Sequence, residues 1–188
     1  MRIVTLFASP RKKGNTATLL GWIEEALRNQ GHEVDRVDVV KHKINGCLEC
    51  YTCQKKPDEL GCPQKDDALG IFQRMIDADV VVYASPMFCW SWPAQIKALI
   101  DRHFCLVKDL GNGEYKSFAE GKKVALLGTC AGPMEANGNL LVEQFSALVD
   151  YSKTRLVGQL FVPLCTTPEA MPESARLKAK EFAHEIAK

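Results

Sequence analysis

The stretch that decides the fold is Ile3–Ala8, IVTLFA, followed at once by Ser9–Thr16, SPRKKGNT. A β-branched apolar run bounded by Pro and Gly predicts a buried strand. The polar residues after it predict the start of a helix, with Asn15 or Thr16 as its cap. A strand that leads into a helix N-terminus brings free backbone N–H groups and the positive end of the helix dipole to one point. The stretch therefore predicts an anion site, and the expected anion is a phosphate.

Strands and helices alternate along the rest of the chain. Helical spacing of apolar residues predicts helices near 15–30, 68–76, 96–100, 138–151 and 172–187, and further apolar runs predict strands at 33–39, 79–84, 124–128 and 156–162. Five strands alternating with five helices predict an α/β fold of three layers, in which helices cover both faces of a five-stranded parallel sheet. We expect the strand order 2-1-3-4-5, which places a ligand between strands 1 and 3.

Length and composition limit the classes of protein to consider. A chain of 188 residues is long enough for one substantial domain, so we expect a single domain over 1–188 with a Cys-rich insertion at about 41–66. The net charge of +1 gives no field that would favour nucleic acid or an acidic membrane as a partner. The opening apolar run is too short to span a bilayer, and we expect a cytoplasmic protein.

The predicted order brings the loops after strands 1, 3 and 4 to one edge of the sheet, at residues 9–16, 85–93 and 129–138. The first loop is neither Gly-x4-Gly-Lys-Ser/Thr nor Gly-x-Gly-x-x-Gly. Its donors suit a terminal phosphate monoester: Ser9, Arg11, Asn15, Thr16 and the amides around Gly14. The alternative is a polar turn with a good helix cap.

The second loop, Ser85–Pro93, carries two Trp, one Phe and one Met directly after a buried strand. Such an exposed apolar cluster is usually covered, either by a flat aromatic ligand or by a domain or dimer contact. The third loop, Thr129–Pro133, offers small residues where a ring needs close approach to the backbone.

Three motifs together carry a family resemblance. They are Ser9-Pro10-Arg11-x-x-Gly14-Asn15-Thr16, Ser85-Pro86-Met87-Phe88 and Pro93-Ala94-Gln95-Ile96-Lys97-x-x-Ile100-Asp101-Arg102. From residue 1 to about 150 the chain resembles the NADPH-dependent FMN reductase branch of the flavodoxin-like proteins, and especially its iron–sulfur flavoprotein subgroup. The resemblance implies a flavodoxin-like fold, non-covalent FMN and a homodimer or homotetramer.

The resemblance also assigns residues to the cofactor. Those implied at the FMN phosphate are Ser9, Arg11, Asn15 and Thr16, with the amides near Gly14; those implied at the isoalloxazine are Pro86, Met87, Phe88, Cys89 and Trp90 on one loop, with Thr129 and Cys130 on another. Phe88 stands where many relatives carry Tyr, so a hydroxyl contact is absent there.

Two functions follow from the resemblance. The first is an FMN-dependent NAD(P)H oxidoreductase that passes electrons to a quinone, a free flavin, a metal ion or a similar acceptor. The second is an electron-transfer module supplied by a ferredoxin-like donor. The partners are thus a nicotinamide cofactor and a small-molecule or protein electron acceptor. We expect no essential acid or nucleophile from the protein, because the flavin carries the chemistry.

Four cysteines are clustered in the insertion as Cys47-x2-Cys50-x2-Cys53, with Cys62 eight residues further on. Thiolates at this spacing can surround a [4Fe–4S] cluster, as the resemblance to iron–sulfur flavoproteins also implies. A tetrahedral zinc site and a metal-free set of thiols remain alternatives. The gap before Cys62 is longer than is usual for that subgroup. The other four cysteines, Cys89, Cys105, Cys130 and Cys165, are dispersed and are expected to be small buried residues.

Two connections carry further expectations. Asp66 and Asp67 precede the second helix and are expected to cap it. Residues 106–120 contain Gly111-Asn112-Gly113 and are expected to form an excursion that covers the ligand pocket.

Overall fold

Five parallel strands form the central sheet in the computed structural model, which describes residues 1–188. In chain order the strands are β1 Arg2–Phe7, β2 Glu33–Asp38, β3 Val80–Pro86, β4 Val107–Asp109, β5 Tyr115–Ser117, β6 Lys123–Thr129 and β7 Arg155–Val162. The sheet has the order β2-β1-β3-β6-β7. This confirms the predicted order 2-1-3-4-5, because β4 and β5 lie outside the sheet and form their own antiparallel pair.

Helices cover both faces of the sheet, as predicted. They are α1 Asn15–Asn29, α2 Ala68–Asp77, α3 Ala94–Asp101, α4 Asn139–Tyr151 and α5 Ala175–Ile186. Strand residues alternate between two apolar clusters, one on each face. Phe72, Leu99 and Phe145 bring α2, α3 and α4 into one cluster. Leu20 and Phe182 bring α1 and α5 into the other. No helix combines the length and the apolar character that crossing a lipid bilayer requires.

The two edge strands of the sheet are irregular in different ways. β2 carries charged side chains at Glu33, Asp35, Arg36 and Asp38. β7 contains a bulge, since Val124 pairs with Leu156 while the next residue of β6 pairs with Gly158. One residue of β7 is therefore outside the register, and the strand bends at that point.

A buried carboxylate fixes α1 to the sheet. Glu24 is 4% exposed and accepts a hydrogen bond of 2.7 Å from the hydroxyl of Thr5 in β1. Arg28 and Arg36 approach the other carboxylate oxygen at 3.5 and 3.6 Å. The paired charge keeps the helix in register with β1 and β2, since an unpaired carboxylate at this depth would be costly.

The excursion expected to cover the ligand pocket lies elsewhere. β4 and β5 form a short hairpin that is joined to the Cys-rich insertion by Gln54, whose amide donates to the carbonyls of Phe104 at 2.7 Å and Val107 at 2.9 Å. The expectation that residues 106–120 cover the ligand pocket is wrong, because β4 is hydrogen-bonded to the side chain of Gln54 and to backbone carbonyls of the insertion. The capping expectation is confirmed for Asp66, whose carboxylate accepts the N–H of Ala68 at 3.2 Å. It is wrong for Asp67, which stands at the N-cap position and makes no side-chain cap bond.

A buried histidine links β3 to the segment that follows α3. The hydroxyl of Tyr83 lies 2.9 Å from Nε2 of His103, and Nδ1 of His103 lies 3.1 Å from the carbonyl of Leu99. Both ring nitrogens of His103 therefore have hydrogen-bond partners. The ring is a neutral imidazole that donates from Nδ1 and accepts at Nε2. Burial lowers the pKa of His103 from 6.5 to about 4.

We expect the folded protein to lose stability in acid through His103. The His103 imidazole takes up a proton near pH 6.5 in the unfolded chain but only near pH 4 in the folded chain. The stability that the neutral, buried imidazole contributes is therefore complete above pH 6.5 and is lost as the pH falls toward 4. The loss is about 3 kcal/mol over that window. Urea unfolding at pH 7 and pH 4 is expected to show a smaller difference for His103→Gln than for the wild type. His184→Gln, at an exposed histidine, should keep the wild-type difference, and equal differences in all three proteins would contradict the assignment.

Candidate functional site

A cleft of about 220 Å³ lies at the carboxyl edge of the sheet, where β1, β3, β6 and β7 end. It is lined by Ser9, Arg11, Gly14, Asn15, Thr16, Pro86, Met87, Phe88, Thr129, Cys130, Ala131, Cys165 and Thr166. Ten of the twelve residues predicted at the cofactor therefore surround one cleft, and Cys89 and Trp90 lie outside its lining. Complete small-molecule pockets measure roughly 300–1,000 Å³. The cleft is thus suited to enclose part of a ligand and leave the rest at the surface.

The N-terminus of α1 points free donors at this cleft. Gly14 is the residue before the helix, and no side chain caps it. The amides of Asn15, Thr16 and Ala17 have no acceptor within the protein, whereas the amide of Thr18 donates to the carbonyl of Gly14 at 3.0 Å. The expectation that Asn15 or Thr16 caps the helix is therefore wrong. Three unpaired amides at the positive end of a 15-residue helix form an anion-binding surface.

The side chains of Asn15 and Thr16 instead connect the loops around the cleft. The side-chain amide of Asn15 donates from Nδ2 to the carbonyl of Cys165 at 2.8 Å, which ties α1 to the segment after β7. The hydroxyl of Thr16 lies 2.8 Å from that of Thr129, which ties α1 to the end of β6. Oδ1 of Asn15 is buried and has no partner. A buried acceptor of this kind favours a ligand that brings a donor such as a hydroxyl.

Arg11 supplies the one formal charge of the cleft lining. Its Nη1 lies 3.4 Å from the carbonyl of Thr166, and its backbone amide donates to the hydroxyl oxygen of Ser9 at 3.2 Å. No lining residue carries a carboxylate. The guanidinium, the free amides of α1 and the absence of negative side chains give the cleft a positive potential that favours an anion.

The apolar wall comes from a tight turn after β3. Met87 donates its amide to the carbonyl of Thr129 at 2.8 Å, and Phe88 and Ser91 exchange backbone hydrogen bonds of 2.9 and 3.0 Å. Between them, Cys89 and Trp90 have φ angles of 46° and 60°. Two consecutive non-glycine residues in the left-handed region are strained, and such strain is found at binding sites that over-determine the backbone. Phe88, which lines the cleft, is 45% exposed, and Trp90, which lies outside the lining, is 59% exposed.

Sequence reasoning placed Ala131 in the third ligand loop without assigning it to the cofactor, and it missed Cys165 and Thr166 as lining residues. The last two follow β7, whose end lies beside β6 because the amide of Cys165 donates to the carbonyl of Cys130 at 3.1 Å. The predicted strand order already contained this signal, because it places the loop after the last strand of the sheet, now β7, next to the loop after β6. Burial raises the pKa of the Cys130 and Cys165 thiols, so both are protonated at neutral pH.

The clustered cysteines lie around a second, smaller cavity of about 20 Å³. Its lining is Cys47, Leu48, Cys50, Tyr51, Cys53, Cys62, Pro63, Gln64, Arg102, Phe104 and Cys105. Cys53 is buried, whereas Cys47 and Cys50 are exposed. No three Cys, His, Asp or Glu side chains converge at metal-binding geometry. The insertion thus collects the four predicted thiols at one cavity but does not close them into a cage.

Buried polar groups surround the thiol cavity. Arg102 is 1% exposed, its Nη1 contacts both carboxylate oxygens of Asp66 at 2.6 Å, and its Nη2 lies 3.2 Å from Sγ of Cys62. Cys105, which the sequence did not place here, adds a fifth thiol, and burial raises its pKa to about 12. Cys105 lies outside the insertion, so the four spaced cysteines of the insertion remain the predicted donor set.

The sequence profile of the family described as NADPH-dependent FMN reductase matches residues 1–167. The chain belongs to this family. The match includes β1 to β7 and all the residues that line the cleft. The family resemblance found in the sequence is therefore confirmed, and its FMN-linked name agrees with the polarity of the cleft.

Curated relatives are named iron–sulfur flavoproteins. One from Archaeoglobus fulgidus is 37% identical over 102 residues, which are 54% of this chain and 45% of the relative. One from Methanosarcina thermophila is 32% identical over 124 residues, which are 66% of this chain and 60% of the relative. The alignments with these relatives thus span about half of their length.

A solved structure of similar fold is the NAD(P)H:quinone oxidoreductase from Methanothermobacter marburgensis. It is 20% identical, the TM-score is 0.71, and the match covers 97% of this chain and 95% of the other. At this identity the likeness shows the fold, which is flavodoxin-like.

We expect Thr16 and Thr129 to be coupled in stability. Thr16→Val or Thr129→Val alone leaves the other buried hydroxyl without a partner, which is expected to cost about 1–3 kcal/mol. The double variant should cost less than the sum, because both hydroxyls are removed together. Urea unfolding of the four FMN-free proteins measures this coupling. Additivity to within about 0.5 kcal/mol would show that the hydrogen bond does not join the two loops.

Proposed function

We propose that this protein binds FMN in the cleft and acts as an NAD(P)H-dependent oxidoreductase toward a small acceptor. The observation that carries the proposal is the set of three unpaired amides at α1, beside Arg11, in a cleft without carboxylates. A phosphate monoester at the end of a neutral, hydroxyl-rich chain satisfies both the charge and the donors. Membership of the FMN reductase family supports the same cofactor.

The donor set fits each part of FMN. The amides of Asn15 and Thr16, with the Arg11 guanidinium and the Ser9 hydroxyl, would hold the phosphate. The buried, unpartnered Oδ1 of Asn15 would accept a hydrogen bond from a hydroxyl of the ribityl chain. Cys130 is at the cleft wall, where its small side chain lets the cofactor approach the backbone closely.

The strained turn after β3 would bind the ring system. Met87 and Phe88 provide an apolar surface, and Pro86 closes its base. The amides of Cys89 and Trp90 have no acceptor within the protein, so they are free to donate to polar atoms at the ring edge. Cys89 and Trp90 thus keep their predicted cofactor role as a proposal, through the backbone rather than through the cleft lining.

FMN, when bound, supplies hydride and electron transfer between the nicotinamide and the acceptor. The cleft lining contains no carboxylate, histidine or lysine. The side chains therefore bind and orient the reactants and exclude water from the apolar wall, and none is placed as an acid or base. The exposed ring of Phe88 in the cleft lining, with exposed Trp90 two residues further on, favours a flat acceptor of the quinone or flavin class.

The four cysteines of the insertion are proposed as a second redox centre. Cys47, Cys50, Cys53 and Cys62 share one cavity, and four thiolates are the donor set that [4Fe–4S] clusters use. The names of the curated relatives support this assignment. Closing the site requires the exposed Cys47 and Cys50 to turn toward Cys53, which the loop around them permits because no strand or α-helix includes them. The homodimer or homotetramer stays a prediction.

We expect Arg11→Ala to weaken FMN binding by about tenfold, because one charge-assisted contact to the phosphate is lost. Fluorescence titration of the FMN-free protein measures the affinity. Lys12→Ala removes the same charge from the neighbouring residue, which does not line the cleft, and should change the affinity less than about twofold. Equal effects of the two substitutions would contradict the phosphate assignment.

The activity itself is tested with FMN-loaded wild-type protein under argon. Rapid loss of the visible flavin band on addition of NADH or NADPH supports the oxidoreductase, and turnover with a quinone identifies the acceptor class. If the flavin band is lost only with a reduced ferredoxin and not with NADH or NADPH, the protein is an electron-transfer module supplied by a ferredoxin-like donor rather than an NAD(P)H oxidoreductase. Protein that stays colourless with FMN would refute the proposal.

We expect anaerobically prepared wild-type protein to contain iron and acid-labile sulfide, and Cys50→Ser to lose most of both. Cys89→Ser changes an exposed cysteine outside the insertion and should keep the wild-type content. Zinc without sulfide would favour the tetrahedral alternative, and wild-type protein without iron would remove the cluster from the proposal.

A further inference from the structure

Lys108 is a fully buried lysine beside the thiol cavity. It lies in the middle of β4 and is 0% exposed. Its ammonium donates to the carbonyl of Cys53 at 2.9 Å and to that of Leu60 at 3.1 Å, and both acceptors belong to the Cys-rich insertion. It forms no ion pair with a carboxylate. Two neutral carbonyls satisfy hydrogen bonds but leave its positive charge uncompensated.

A buried ammonium is costly unless negative charge lies nearby. The carboxylate of Glu59, next to Leu60 in the chain, is already paired with Lys56 at 2.7 Å. The ammonium of Lys108 instead contacts the insertion at Cys53, whose thiol lines the cavity together with those of Cys47, Cys50 and Cys62. The insertion thiols are therefore the groups left to balance the charge.

We infer that Lys108 is the counter-charge of the thiol cavity, which stabilises Cys53 and its neighbours as thiolates when they hold an iron–sulfur cluster. The inference rests on the cluster proposed above. Metal binding replaces thiol protons, so a loaded cavity would carry negative charge beside the ammonium group of Lys108. The pairing also explains why a lysine is buried under a loop that contains few apolar side chains.

The charge has a consequence for electron transfer. A cluster held by the four thiolates would supply one-electron transfer, and its reduced form would carry one more negative charge than its oxidised form. A buried cation stabilises the reduced cluster more than the oxidised one, so Lys108 raises the reduction potential. Arg102 also donates to Cys62, but Asp66 neutralises it.

The hairpin offers a matched control. Lys116 lies directly opposite Lys108 in the register of β4 and β5, and both ammonium groups lie 5.6 Å from the ring centroid of Phe118. Lys116 is exposed and approaches Asp58 at 3.6 Å. Removing the charge of Lys116 therefore alters the same hairpin beside the same Phe118 ring but leaves the buried charge of Lys108 in place.

The experiment compares Lys108→Gln and Lys116→Gln after anaerobic reconstitution with iron and sulfide. Glutamine keeps an N–H donor for the carbonyls and removes the charge. A dye-mediated titration with dithionite, followed at the cluster absorbance, measures the one-electron equilibrium. We expect Lys108→Gln to make reduction about tenfold less favourable, which is 59 mV, and Lys116→Gln to change it less than about twofold. Equal equilibria for Lys108→Gln and the wild type would overturn the inference.

A second measurement applies if Lys108→Gln does not assemble the cluster. Titration of the metal-free proteins with Co²⁺, followed by thiolate-to-metal absorption, is expected to show about tenfold weaker binding for Lys108→Gln than for Lys116→Gln. Equal cobalt affinities would overturn the inference. Wild-type protein that binds neither iron nor cobalt would overturn both it and the cluster. Bleaching of FMN by NAD(P)H would still be observed in that case, so the oxidoreductase proposal fails or stands separately.

Discussion

Parallel pairing places the carboxyl ends of all five strands at one edge of the sheet, and this constraint locates the candidate cofactor site. Because α1 starts directly after β1, its unpaired amides face the same edge as the loops after β3, β6 and β7. Asn15 and Thr16 could have capped their own helix. They bond to Cys165 and Thr129 instead, and so leave the amides free while holding the cleft together. The unsatisfied backbone is thus maintained by side-chain contacts between distant parts of the chain.

The sequence predicted most of this arrangement, because hydrophobic period and strand order follow from local pattern. The failures have one cause, which is that side chains took partners that lie far away in the chain. Asn15 bonds to a carbonyl 150 residues further on, and no local pattern reports such a contact. Residues 106–120 were expected over the pocket, yet Gln54 and Lys108 join them to the insertion. Cys105 reaches the thiol cavity through the tertiary fold alone, whereas the position of Thr166 at the cleft follows from the strand order.

The two cavities differ in how their charge is balanced. In the cleft, Arg11 is exposed and the amides carry only partial charge, so an anion is attracted at little desolvation cost. At the thiol cavity, the buried Arg102 is neutralised by Asp66, and Lys108 has only carbonyls around it. Helix α3 lies between the two cavities along the chain, since Pro86–Phe88 of the cleft precede it and Arg102–Cys105 of the thiol cavity follow it. At about 1.5 Å per residue its eight residues span about 12 Å.

The irregular edges of the sheet have a consequence for assembly. A flat edge strand is a template on which a second copy can add its own strand. The charged residues of β2 and the bulge in β7 make both margins of this sheet poor templates. Edge-to-edge pairing of two copies of the chain into a continuous sheet is therefore disfavoured. The same irregularities protect the exposed backbone from the edge-to-edge stacking that begins fibril growth.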